Sequence, residues 1–396
     1  MKIANRISEL SESQTLLMAK LGRELKERGH DIISLSLGEP DFVTADYIRE
    51  AAKRAIDDGY TFYPPVAGYN DLRKAIADKL MRENNLSYSP DQIVVTNGAK
   101  QSIANAMLCL VNPGDEVIIP TPYFVTYSQL VILAGGIPVY VDAEIETDFK
   151  VSAGQIEAAI TPRTSAIIFS SPCNPSGSIY SKAELESMAE MFSKYPNIAI
   201  ISDEIYEHIN FSGKHESIAQ FEKIKDRVII INGVSKAYAM TGWRLGYTAS
   251  TLIIAKACEK MQGQITSGIC TISQKAAIAA INSTPEQLQE MQHSFLRRRN
   301  LVIANLKDVP GLKVNQPQGA FYLFPDVSYF FGKSTGDILI NNANDLAMYL
   351  LNDAKVGVVT GEAFGNSNCI RISYATSDHL LVDACARIKQ SLAKLK

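Results

Sequence analysis

The chain has 396 residues, and its 46% hydrophobic and 20% charged content describe an ordinary globular protein rather than a fibrous or disordered one. That length asks for two to three domains, or for one large α/β body with a smaller companion. A net charge of −3 gives no footing for nucleic acid or an anionic membrane as partner, and no apolar run approaches the length of a membrane span.

The opening MKIANRISELSESQ has neither an apolar core segment nor a small-residue cleavage site, so it does not read as a signal peptide. Leu16 to Arg28 reads as a helix ended by Gly29, and Ile32 to Leu37 as a short strand running into the turn Gly38-Glu39-Pro40-Asp41. Residues 46–58 and 69–84 read as amphipathic helices on either side of YTFYPPVAG. The pattern then alternates. Strands are expected at Ile93–Thr96, Glu116–Ile119, Val139–Val141, Ala166–Phe169, Ile198–Ser202 and Val228–Ile231, with helices between several of them, including 99–110 and 122–133. Short apolar strands separated by helices argue an α/β fold: a mainly parallel central sheet covered by helices on both faces.

Past residue 285 the character changes. Residues 286–306 read as one long charged helix whose Arg297-Arg298-Arg299 run is expected to face solvent. Short strands in FYLFPDV and IRISYA and a terminal helix follow, which suggests a smaller α+β domain. The domains expected are therefore 46–285 for the large α/β body, and 1–45 with 286–396 for the small one.

The six cysteines show no C-x-x-C spacing and most lie in apolar runs, so they read as buried free thiols in a reducing, cytoplasmic setting. The five histidines form no ligand cluster in sequence, and no metal site is expected. There is no G-x-G-x-x-G, and Gly332-Lys333-Ser334 lacks the upstream glycine of a P-loop, because Val327 stands there.

Four other segments carry chemistry. Asn97-Gly98-Ala99-Lys100 follows a strand and opens a helix, so its N–H groups can face an anion with the helix dipole behind them; it also reads as a plain strand-to-helix turn. Asp203-Glu204-Ile205-Tyr206 stands at a strand's carboxyl end, where ligands collect in open α/β sheets, although a capping Asp with a packed Tyr fits too. Asn174, in SSPCNPSG, is held between two prolines, as a stiff hydrogen-bonding group or an ordinary turn residue. Ser235-Lys236 precedes Gly242-Trp243-Arg244. A nucleophilic lysine needs a depressed pKa, which a nearby cation helps provide, and Arg244 with the Ser235 hydroxyl can grip a phosphate. An amine beside a phosphate site suits an aldehyde cofactor with a phosphate tail, namely pyridoxal 5′-phosphate (PLP).

Together, SLSLGEPDF, FYPPVAGYNDLR, VTNGAK, SSPCNPSG, ISDEIY, SKAYAMTGWRLGY and IRISYA resemble the fold-type I PLP-dependent aminotransferases, class I branch, and most of all the bacterial aspartate aminotransferases. The resemblance runs nearly end to end. It implies that Lys236 forms the Schiff base with PLP, that Asp203 pairs with the ring nitrogen, and that Tyr206 and Asn174 bond the ring oxygen. Gly98, Ala99, Lys100, Ser235 and Arg244 match the phosphate side. Tyr63 matches a tyrosine that reaches the partner subunit's site, which implies a homodimer. Phe124 falls where the family often has a tryptophan stacked on the ring; it can stack but brings no indole N–H.

For the substrate, Arg371 matches the arginine that grips the α-carboxylate, with Gly38 at the same end and Phe124 and Asn174 nearby. Ser13, Thr15 and Lys100 match positions that help recognise an acidic side chain, though Ser13 and Thr15 also read as helix-start capping. Relatives that use prephenate carry a lysine two residues before the position of Ser13; here that residue is Ser11, and the usual proline before the serine is Glu12. The expected activity is ping-pong transfer of an amino group from an L-amino acid, L-aspartate first, to 2-oxoglutarate. Aromatic or alanine-type donors, or a β-lyase reaction on the same fold, are the alternatives. A PLP-sensing regulator is disfavoured, because the pattern begins almost at residue 1 and the charge is slightly acidic.

Overall fold

The computed structural model describes residues 3–396. Its centre is a seven-stranded sheet of β1 (Ile93–Thr96), β2 (Glu116–Pro120), β3 (Ile137–Val141), β4 (Thr164–Ser170), β5 (Ala199–Asp203), β6 (Val228–Gly233) and β7 (Gly246–Ala249). The spatial order is β1-β7-β6-β5-β4-β2-β3. All neighbours run parallel except β7, which lies antiparallel to both β1 and β6. This is the fold-type I α/β architecture the resemblance implied.

The six strands expected from the apolar runs are present. Ile200, Ile201, Ile229 and Ile230 in β5 and β6 have no exposed surface, which accounts for runs without alternation: both faces of the sheet are covered. Each such side chain contributes about 1.5–3 kcal/mol by leaving water. Strand β7 went unread because GYTA is short and follows the chemically loaded SKAYAMTGWRL segment. Its Thr248 and Gly246 give no apolar run, and its place comes from pairing with β1 and β6.

A second core joins Ile33 and Leu35, with Ile205, Tyr206 and Ile209, to residues from Phe295 onward, including Phe321, Leu346, Ile372 and Leu381. Here Val359–Thr360, Ile370–Ser373 and Tyr322–Leu323 make a three-stranded antiparallel sheet. The expected strand from Ile32 to Leu37 is shorter than read: only Ile33–Ser34 pairs, with Val356–Gly357. Beyond it the chain turns toward the cleft between the two cores, where Ser36 O is claimed by a side chain. The Gly332-Lys333-Ser334 segment leads into a two-stranded hairpin, Ser334–Thr335 with Ile338–Leu339, and is no phosphate loop.

The arginine run corrects one expectation. On the helix Pro285–Leu306, Arg298 is 7% exposed rather than solvated. It makes a two-pronged ion pair with Asp41 at 2.6 and 2.9 Å and stacks on Phe42 and Phe295. A planar guanidinium tolerates such burial because carboxylate and aromatic faces replace its water. The cysteines need a similar correction: all six are free, but Cys109 is half-buried and Cys270 exposed. Among the described residues no helix is long and apolar enough to cross a membrane.

Candidate active site

A cavity of about 340 Å³ opens at the carboxyl ends of the central strands, between the two cores. Parallel strands deliver their loops to one edge, so residues far apart in sequence converge there. Of the residues singled out above, Ser13, Thr15, Gly38, Ala99, Lys100, Phe124, Asn174, Asp203, Tyr206, Ser235, Lys236, Arg244 and Arg371 line it. Gly98 stands just behind the wall, and Tyr63 lies outside it, 97% exposed.

On the floor, β5 ends at Asp203, which is 5% exposed. One carboxylate oxygen accepts the Tyr127 hydroxyl at 2.6 Å and the other accepts the Ile205 N–H at 3.2 Å. Desolvation, working against those donors, pushes its pKa up to about 6. A buried carboxylate that is costly to ionise alone is well suited to a cationic partner such as a protonated ring nitrogen.

Lys236 follows β6 by three residues. Its amine donates to Gly38 O at 2.6 Å and lies 5.8 Å from the Tyr206 ring centroid. Desolvation, then the charge of Arg371, lowers its pKa to about 8, with Glu39 and Asp203 pulling the other way. The depressing cation foreseen was Arg244, and it does contribute; Arg371 contributes more.

The phosphate end is built on the helix Ala99–Leu110. Gly98 has φ +81°, and a β-carbon there would strike the Arg244 guanidinium. Both the backbone region and the close approach demand glycine. Arg244 donates to Thr241 O at 2.8 Å, which holds its fork toward the helix start. Buried Ser235 completes this corner. The donor set (helix N–H groups, a hydroxyl and a guanidinium) fits a phosphate dianion.

At the other end Arg371, 2% exposed, donates to Asn174 Oδ1 at 2.9 Å and to Ser36 O at 2.6 Å. Its guanidinium packs on the rings of Tyr322 and Phe364, and its buried Nε has no hydrogen-bond partner among the described residues. An arginine this enclosed with unspent donors matches a carboxylate ligand. Tyr206 shares a 2.7 Å hydrogen bond with the Tyr322 hydroxyl, and a β-carbon on Gly38 would collide with that same hydroxyl. Phe124 packs edge-on against Tyr127, with the Lys100 amine 5.5 Å from its centroid. Ser13 occupies the N-cap position of the helix Gln14–Glu27 but makes no side-chain cap bond, so its hydroxyl is left for the cavity.

Sequence reading missed Tyr127, Tyr322 and the Ser36 carbonyl. Tyr127 sits in a helix read only for packing, and Tyr322 in a strand read for its apolar run. Their roles depend on partners 76 and 116 residues away. The histidines also need correcting. The fold brings His208 together with Glu83 and Glu207, and His215 with Glu204 and Glu207. These carboxylates already have protein partners: Lys79, Asn84 and Asn232 on Glu207, and Ser202, Ser217 and His215 on Glu204.

The likeness to known proteins matches this geometry. A model of the family described as aminotransferase class I and II matches residues 30–388. An aspartate/prephenate aminotransferase of Cereibacter sphaeroides is 46% identical over 396 residues, 99% of each chain. A Petunia hybrida protein, named a bifunctional aspartate aminotransferase and glutamate/aspartate-prephenate aminotransferase, is 44% identical and covers 100% of this chain and 83% of its own. The solved aspartate aminotransferase of Rhizobium meliloti has a TM-score of 0.97 at 42% identity, covering 100% of both chains. That of Thermus thermophilus with maleate has 0.93 at 36%, covering 99% of this chain and 100% of that one. The chain belongs to the class I and II aminotransferase family. It is a PLP-dependent aminotransferase, acting on amino and oxo acids, and similar to bacterial aspartate aminotransferases.

Proposed function

We propose that the protein transfers the amino group of L-aspartate to 2-oxoglutarate by a ping-pong route, the two substrates using one site in turn. The observation that carries this reading is Arg371, buried with unspent donors at one end of a cavity whose other end holds Lys236 and the Gly98–Arg244 phosphate corner. Bound there, PLP supplies an aldehyde carbon that bonds amines and a ring that takes up the electron pair left at the substrate Cα. Asp203 holds the ring-nitrogen proton, and Tyr206 and Asn174 face the ring oxygen. Gly98, Ala99, Lys100, Ser235 and Arg244 hold the phosphate, and Phe124 covers the ring. Arg371, with Asn174 and Gly38 beside it, fixes the substrate α-carboxylate and so aims the Cα–H at Lys236. The Lys236 amine, freed to its neutral form, moves that proton.

Ser13, Thr15 and Lys100 form the distal-carboxylate side of this reading. Partial desolvation, then the charge of Arg244, holds the Lys100 amine below the usual lysine value. With 2-oxoglutarate as acceptor, aspartate is expected to exceed tyrosine and alanine in kcat/KM. Prephenate belongs in the same panel as a competing acceptor, since relatives carry it in their names while Ser11 and Glu12 depart from the pattern of prephenate users. Lys100→Ala is expected to lower kcat/KM about tenfold, a change worth 1.4 kcal/mol, for dicarboxylic donors only. Weaker PLP retention with donor ranking unchanged would instead assign Lys100 to the phosphate. Pyruvate and ammonia released without any acceptor would favour a β-lyase.

The reading includes a cytoplasmic homodimer. Phe62 and Tyr63 are 82% and 97% exposed, more than such side chains usually are on a free surface. Tyr63 placed in the partner subunit's phosphate corner accounts for that. Tyr63→Phe is expected to raise the PLP dissociation constant several-fold; a fully active monomer by sedimentation would remove this element. Its domain division is 46–285 against 1–45 with 286–396, residues 1 and 2 lying outside the described chain; the core that gathers Ile33 and Leu35 with residues from Phe295 onward supports it, and Ile205, Tyr206 and Ile209 join that core across the division.

A further inference from the structure

Two residues in the loop that ends at Arg244 hold backbone conformations that side chains resist. Ala239 has φ +50° and Arg244 has φ +53°. In that left-handed region a β-carbon crowds the following carbonyl, so residues other than glycine stay there only when their surroundings hold them. Arg244 depends on that holding. It is exposed, and its guanidinium donates to Thr241 O at 2.8 Å, inside the same loop. The direction of its fork is therefore set by the backbone of residues 239–244.

The holding group lies outside the cavity. Thr44, 7% exposed, donates its hydroxyl to Ala239 O at 2.6 Å and accepts the Trp243 indole N–H at 3.0 Å. One oxygen thus grips the first bend and the residue just before the second. A threonine ahead of a helix ordinarily caps it. Here Ala45 is the N-cap of the helix Asp46–Asp57, no side-chain cap bond is made, and the Thr44 hydroxyl goes to the loop instead. The Thr241 hydroxyl also donates to Glu39, but that bond is exposed and competes with water. Thr44 works from an anchored segment, because Asp41, three residues before it, is pinned by the two-pronged pair with Arg298.

We propose that Thr44 is a positioning residue for cofactor binding: its hydroxyl holds residues 239–244 in the two left-handed bends that aim Arg244 at the cofactor phosphate. This rests on the assignment of Arg244 to the phosphate under the proposed function. Thr44 does not line the cavity and acts only through the loop. Changing it to valine keeps the shape and removes donor and acceptor together, so Ala239 O and the indole N–H lose their shared partner.

The test titrates each protein, stripped of cofactor, with PLP and with pyridoxal, which lacks the phosphate. Thr44→Val is expected to raise the dissociation constant of PLP about tenfold and that of pyridoxal less than about twofold. A general loss of structure would weaken both alike. Trp243 is the single tryptophan of the chain, so its fluorescence reports on the loop directly. In Thr44→Val its emission should move to longer wavelength as the freed indole meets water. Thr44→Ser keeps the hydroxyl and is expected to restore both readouts. Should Thr44→Val not fold, Trp243→Phe cuts one of the two bonds from the loop side and is expected to weaken PLP without weakening pyridoxal. Arg244→Met separates the two readings. PLP affinity unchanged in that variant removes the phosphate assignment itself. PLP affinity unchanged in Thr44→Val, beside a weakened Arg244→Met, overturns the role of Thr44 alone. Equal weakening of PLP and pyridoxal, or no recovery in Thr44→Ser, overturns it too.

Discussion

Replacing Lys236 by alanine is expected to lower kcat for transamination by at least about 10,000-fold, because the proposed function gives this one residue both the amine that bonds the cofactor and the base that moves the Cα proton. The loss should fall on kcat more than on KM, since Arg371 and its partners remain. The wild-type amine sits at about 8, held down by desolvation first and then by the Arg371 charge. Only the neutral amine attacks an aldehyde. Uptake of PLP by cofactor-free protein should therefore speed up as pH rises and level off above about 8. Stopped-flow absorbance on both proteins checks this. Substantial turnover in the variant, or an uptake rate flat between pH 6 and 9, would sink the role given to Lys236.

Asp203→Asn is expected to separate activity from stability. A neutral amide cannot hold a proton on the ring nitrogen, and removing one partner of a buried charge pair costs about 2–5 kcal/mol. A fall of roughly 1,000-fold in kcat/KM is the corresponding expectation. In the cofactor-free protein the sign reverses. Asp203 has a folded-state pKa near 6, raised by desolvation from 3.8, so between these values the folded chain keeps a proton that the unfolded chain has released. Its contribution to stability is present below about pH 4 and is lost as pH rises through 6, on the order of 3 kcal/mol. Relative to wild type, cofactor-free Asp203→Asn should thus gain stability between pH 4 and 7. Urea unfolding of the two proteins at several pH values measures the difference. If that difference stays constant with pH, the carboxylate is not the strained group described here; PLP binding would then owe little to relief of its burial.

Much of the site was legible because its groups are punctuated locally. Gly98 before a helix, Asp203 at the end of NIAIIS, Asn174 between prolines and Lys236 beside Ser235 each combine a reactive type with a recognisable turn. Five of the six expected strands were legible for a related reason: a strand covered on both faces must be largely apolar, whereas the edge strand β3 leaves Ile137 and Tyr140 exposed. Arg298 was misread because charge alone says nothing of a partner. Asp41, which takes it out of solvent, lies 257 residues earlier.

By itself, then, the sequence determined the alternation of strands and helices, the change of character past residue 285, and the reactive groups themselves. Those properties depend on periodicity, caps and side-chain chemistry within a few residues. Only the tertiary structure decided that β7 runs antiparallel between β1 and β6. It also decided that Tyr127 braces Asp203, that Tyr322 meets Tyr206, and that Arg371 is buried against Asn174. Each of these contacts joins residues brought together by sheet order and helix packing. The energy of such a contact exists only once the intervening chain has folded, so no local pattern records it.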